Sequence, residues 1–170
     1  MLKPSDLIVL ATVAAGTGSG AAIDLCTRRV PNPLTVVLAA SGVVLAAFGA
    51  SGLTVGASLA GFALGLTLML PGHLLGGTGA GDVKLFAAVG ALIGPAHIVA
   101  AFFYTAVAGG VMALIVAVRR RRLQHTIAGT ARFIATAAAN TAEIESPIAN
   151  NRFAYAPAIA VGTMLAALGL

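Results

Sequence analysis

Residues 34–70 contain no charged side chain, and an apolar run of that length admits few folds. As one α-helix it would extend about 55 Å, nearly twice the roughly 30 Å of a bilayer's hydrocarbon core. In lipid every backbone amide has to be satisfied within the segment, so the run is expected to make two crossings that turn back near Gly49, Ser51 and Gly52. The remainder of the 170-residue chain is in keeping, with 59% hydrophobic and only 9% charged residues, against about 25% charged in a soluble domain. That is too little polar surface to cover a water-soluble globule. The apolar character runs from residue 7 to residue 170 with one polar interruption, so the chain reads as a single membrane-embedded domain spanning 1–170.

The same arithmetic divides residues 85–118, about 51 Å long if unbroken. Gly94-Pro95 supplies the break, because proline lacks a backbone donor and disfavours helix in the residue before it. The resulting expectation is an all-α polytopic membrane protein, a bundle of six transmembrane helices near 7–23, 34–49, 53–70, 83–93, 96–118 and 153–170, the fourth of them short. Lys3, the apolar run 7–15 and the small residues 16–22 have some features of a cleaved signal peptide. Asp6 sits within the positive region and further spans follow, so an uncleaved first span is the better reading.

Basic residues near span ends are retained in the cytoplasm. Arg28 and Arg29 follow span one, Lys84 opens span four and Arg119 to Arg122 follow span five, and with six crossings all three sites fall on one side. This predicts a multi-pass membrane protein with both termini outside and a cytoplasmic loop at 119–152, part of which (123–151) could lie along the surface as a helix. The net charge of +5 comes largely from Arg119 to Arg122, a run that beside a span acts as a topological anchor and does not indicate nucleic acid. A single cysteine, Cys26, excludes an internal disulfide and a cysteine-cluster zinc site. No metal or other cofactor is expected, and the partners are the lipid bilayer and a membrane-inserted substrate.

Ionisable residues at membrane depth are costly, by about 2.5–3.5 kcal/mol on insertion scales, and tend to mark functional sites. Between residues 7 and 118 the only acids are Asp24 and Asp82. One ends span one and the other opens span four, so both fall at the cytoplasmic boundary and can meet. Two neighbouring carboxylates come to share one proton, and such a pair suits peptide hydrolysis. One member activates a water while the other hydrogen-bonds the scissile carbonyl. The run Gly76-Gly77-Thr78-Gly79-Ala80-Gly81-Asp82-Val83-Lys84 can bend sharply into a helix start and let a substrate backbone come close. Blander roles exist for each acid: Asp82 as a helix cap, and Asp24 as an interfacial partner of Arg28 one turn on. Lys84 either snorkels to the interface or biases the charge of Asp82, and His73 lies in the same loop.

Three segments resemble the type IV prepilin peptidases, intramembrane aspartic proteases, and most closely their short form associated with Flp-type pili of tight-adherence systems. They are residues 23–32, where Asp24 precedes a basic turn containing Pro31 and Asn32; residues 79–84, a Gly-x-Gly-Asp motif followed by Lys84; and residues 152–162, a proline- and glycine-containing start to the last span. The resemblance implies that Asp24 and Asp82 are the catalytic pair, with Gly79, Gly81 and Lys84 shaping the site, and that the substrates are prepilins or pseudopilins cut after a basic leader. Longer members carry a cysteine-containing cytoplasmic insertion and also methylate the new N-terminus. Here the loop from Asp24 to Pro33 is too short for it, so the resemblance implies peptidase activity and leaves methylation open. Two other classes compatible with paired membrane carboxylates are a proton- or cation-coupled transporter and a non-catalytic membrane subunit of pilus assembly.

Overall fold

The computed structural model describes residues 3–119 and 155–169. Within them the chain forms five helices and no strand: α1 (Pro4–Thr27), α2 (Asn32–Ala47), α3 (Val55–Leu74), α4 (Ala80–Arg119) and α5 (Ala156–Ala167). Their boundaries follow from local chemistry. Proline occupies the first turn of α1, α2 and α5, where its missing N–H is not needed. The backbone N–H of Lys3 donates to Asp6 Oδ2 at 2.9 Å at the head of α1, and Thr54 accepts from the Ala57 N–H at 3.1 Å at the head of α3. Gly49 and Gly52 take left-handed φ of 68° and 69° in the α2–α3 turn, where the uncharged run was expected to fold back.

α4 is a doubled-back helix. Gly94 has φ 77° and ψ 176°, a conformation open to glycine and not to other L-residues. Its extended ψ is what the following Pro95 imposes. The rings of Phe86 and Phe102 meet edge to face with centroids 6.3 Å apart, whereas an unbroken helix would set them about 24 Å apart. The first arm, residues 80–93, is the centre of the molecule. Leu85, Phe86, Ala87, Ala88, Val89, Ala91 and Leu92 are fully buried, packed by α1, α2, α3 and the second arm. Small residues make this density possible. The backbones of Gly61 in α3 and Gly90 in α4 touch, and Gly42 of α2 lies on the backbone of Ala91. Ser58 adds a buried hydrogen bond to the Ala91 carbonyl at 2.7 Å, the kind of small-residue packing that holds helices together where lipid supplies no hydrophobic drive.

The all-α membrane architecture stands, but six full crossings do not. By length and composition α1, α3 and α4 are the helices long and apolar enough to span a bilayer. The first arm of α4 rises about 21 Å, α2 about 24 Å and α5 about 18 Å, each short of roughly 30 Å. The physical reason is clearest for the first arm of α4: wrapped in protein, it need not match the hydrocarbon thickness. Of the expected sixth span at 153–170, residues 155–169 are described, and among these the helix runs from Ala156 to Ala167. The expected end of span three at 70 is also exceeded, since Pro71 sits in the last turn of α3 without stopping it. The arginine run 119–122 beyond the α4 backbone, the proposed surface helix at 123–151 and most of the loop 119–152 lie outside the described residues.

Candidate active site

Asp24 lies in the last turn of α1 and Asp82 in the first turn of α4. Both are buried, with 5% and 7% of their surface exposed, although aspartate is almost never fully buried without a partner. The two carboxylates are within electrostatic reach of each other. The turn after α1 packs on the start of α4, which brings them to one end of the molecule. Val30 is buried against Gly81, whose added Cβ would stand 3.0 Å from Val30 Cβ. Asn32 Oδ1 accepts from Lys84 Nζ at 2.9 Å. The opposite end gathers Asp6, Ser51, Ile93 and His97, so the break at Gly94 lies far from the aspartates.

Each carboxylate is held by a backbone donor from a helix start. Asp24 Oδ2 accepts from the Ala156 N–H at 3.3 Å, one of the donors that the first turn of α5 leaves without a helical partner. Asp82 Oδ2 accepts from the Gly79 N–H at 3.2 Å. This is the reach-back half of a capping box, in which the third helical residue satisfies the cap's own amide. The helix-cap role of Asp82 is thus real, but it occupies one oxygen only. Oδ1 of Asp82 is buried and, among the described residues, accepts no hydrogen bond. A buried acceptor left in that condition costs about 1–3 kcal/mol, more if charged, and such an atom calls for an explanation.

The glycines of this run divide the work between them. The sharp bend before α4 is made at Gly76, with φ 75°. Gly79 and Gly81 act by their size: a Cβ on Gly79 would press on Asp82 Oδ2 at 3.0 Å, and one on Gly81 would push Val30 away. His73 Nδ1 lies 2.9 Å from the Thr78 carbonyl oxygen, bracing the loop that leads to Asp82. Lys84 is exposed and turned to Asn32. Arg28, exposed in a left-handed conformation with φ 55°, caps α1 through its N–H to the Asp24 carbonyl at 2.7 Å and forms no ion pair with the Asp24 side chain.

Sequence reasoning did not foresee the α5 contribution in atomic terms. Tyr155, at the head of α5, lies within electrostatic reach of Asp82, and its ring rests on Gly109 in the second arm of α4. The signal available was the Ala156-Pro157 start of a helix, which leaves free amides pointing at whatever lies before it. The arrangement as a whole, two buried carboxylates from remote parts of the chain with one oxygen unengaged, can take a proton from water and give one to an adjacent polar group.

Comparison with curated proteins and with solved structures gives no match. The sequence model of the type IV leader peptidase family matches residues 8–114, a stretch that contains both aspartates and all of the described site except Tyr155 and Ala156 at the start of α5. On that match, which covers more than half of the chain, the protein belongs to the type IV leader peptidase family.

Proposed function

We propose that this protein is an aspartic-type endopeptidase that removes the basic leader of a prepilin or pseudopilin at the cytoplasmic face of a bacterial inner membrane, in the manner of the short Flp-pilus type. The observation that carries the reading is the buried Asp24–Asp82 pair with Asp82 Oδ1 unengaged. Family membership supports the reaction class.

In this reading one carboxylate is ionised and takes a proton from the attacking water. The other is protonated and hydrogen-bonds the scissile carbonyl oxygen as charge develops there. The backbone N–H groups of Gly79 and Ala156 fix one oxygen of each carboxylate, which orients the remaining oxygens before substrate arrives. Gly79, Gly81 and Lys84 shape the site, the glycines by allowing the 30–32 turn and the Asp82 carboxylate to come close, the lysine by tying that turn to α4. The basic leader stays in the cytoplasm while the substrate's apolar segment remains in lipid, and both termini of the enzyme lie outside, a reading supported by Asp6 and Gly169 lining one pocket at the end away from the aspartates.

The test is leader cleavage of a candidate prepilin co-expressed with the wild type, Asp24→Asn or Asp82→Asn. Each variant is expected to accumulate normally and to lose activity by about 10²–10⁴-fold, the contribution of a positioned acid or base. Undiminished cleavage by either variant rejects the pair.

A further inference from the structure

An open groove of about 660 Å³ lies between α2 and α3 and ends at Lys84 of α4. Its length is apolar, with Val36, Val43, Leu59 and Phe62 among its walls, and its polar groups are confined to the end formed by Asn32, Thr35 and Lys84. No acidic residue lines it. The Thr35 hydroxyl is already spent on the Asn32 carbonyl at 2.9 Å. Lys84 is not: an ammonium has three donors, and its described hydrogen bond is the one to Asn32 Oδ1. Arg28 and Arg29, on the turn that leads to Asn32, are exposed.

A cationic head on an apolar trough is complementary to an amphiphile with an anionic headgroup. The groove does not suit the peptide to be cut. Lys84 follows Asp82 by two positions, about 200° around the helix axis, so the groove opens across α4 from the side on which Asp82 meets Asp24 and α5. We infer that this groove binds one anionic glycerophospholipid, with its phosphate on Lys84 and the Asn32 amide and an acyl chain along Val36, Val43 and Phe62. Both residues that would hold the phosphate also join the α1–α2 turn to the start of α4, through the Lys84 Nζ donation to Asn32 Oδ1, so the bound lipid braces the end of the molecule that carries the carboxylates.

The experiment uses the full chain in nanodiscs of phosphatidylcholine containing a minor fraction of phosphatidylglycerol, followed by detergent extraction and native mass spectrometry of the lipid retained. The wild type is expected to keep one phosphatidylglycerol in preference to phosphatidylcholine. Lys84→Gln is expected to lower that retention about fivefold, the contribution of one lysine near an anionic headgroup. Val36→Trp alters a side chain that is 66% exposed and fills the trough without changing charge, so it is expected to lower retention of the lipid by itself. The Asp24→Asn/Asp82→Asn double variant is expected to hold phosphatidylglycerol as the wild type does, which separates this site from the protease reading. Equal retention of the two lipids by the wild type overturns the proposal. So does a phosphatidylglycerol preference that survives both Lys84→Gln and Val36→Trp, or a photo-crosslinker at position 43 that captures a prepilin segment in place of lipid.

Discussion

The two arms of α4 are made of the same kinds of residue and live in different surroundings. In the first arm, Leu85 to Leu92 present no surface to the outside apart from the backbone neighbours of small residues. In the second, Phe103, Val107, Val111, Leu114 and Ile115 are between 48% and 67% exposed. In water such a difference would be written as apolar against polar residues. In lipid both surroundings are apolar, and what separates the arms is what covers each: protein around the first, open surface along one face of the second. The first arm places Ala87, Gly90 and Ala91 against Gly65, Gly61 and Gly42, while branched and aromatic side chains point outward from the second. The first arm is therefore a stalk fixed on all sides, and Asp82 stands at its tip. The second arm acts as a wall, closing on α5 where Gly162 meets Thr105 and Gly109 receives the Tyr155 ring.

The largest effect expected from this contrast is at Gly90. Its backbone touches that of Gly61, so Gly90→Leu forces α3 and α4 apart at the centre. Overpacking costs about 1–3 kcal/mol and occasionally more, and here backbone on both sides leaves nothing flexible to yield. Little folded protein should survive extraction into mild detergent. A Gly90→Leu protein with wild-type thermal stability would show that the first arm is not a tightly held stalk. Phe86→Ala comes next. Phe86 is fully buried and stacks edge to face on Phe102 across the Gly94 break. The expected loss is about 3 kcal/mol, the low end for such truncations because the unpacked reference is lipid and not water. Reversible unfolding in detergent measures it, and a loss below about 1 kcal/mol would mean that the two arms do not depend on each other.

What could be read in advance, and what could not, divides along the same line. The break at Gly94-Pro95 was legible because proline and glycine act through the backbone regardless of solvent. Asp24 and Asp82 were legible because a carboxylate in an apolar chain is rare whichever way it faces. Hydropathy failed on helix ends and on the count of crossings, since it cannot distinguish a segment covered by lipid from one covered by protein. Residues 83–93 read as a short span for that reason and belong to an enclosed arm. The donors that hold the carboxylates were hidden for another reason: the N–H groups of Ala156 and Gly79 belong to the backbone, and which carboxylate they meet is decided only once α1, α4 and α5 are packed. The Asn32–Lys84 contact, 52 positions apart, is of the same kind.

The smallest effect isolates the comparison most cleanly, because one substitution can be made in both arms. Val89 is fully buried, and Val107 is 67% exposed. Val→Ala removes the same two methyl groups from each, and the change in helix propensity is the same and small. At position 89 the lost contacts are with protein that cannot close around the gap, for an expected cost of about 1–2 kcal/mol. At position 107 lipid tails flow into the space and restore the contacts, so the cost should stay within about 0.5 kcal/mol. The difference between the two variants, measured by the same unfolding assay in the same detergent, removes propensity and the unfolded state from consideration and leaves only the packing of the surroundings. Equal losses at 89 and 107 would mean that the second arm is also covered by protein, for example by another copy of the chain, and that the outer wall of the molecule has been misidentified.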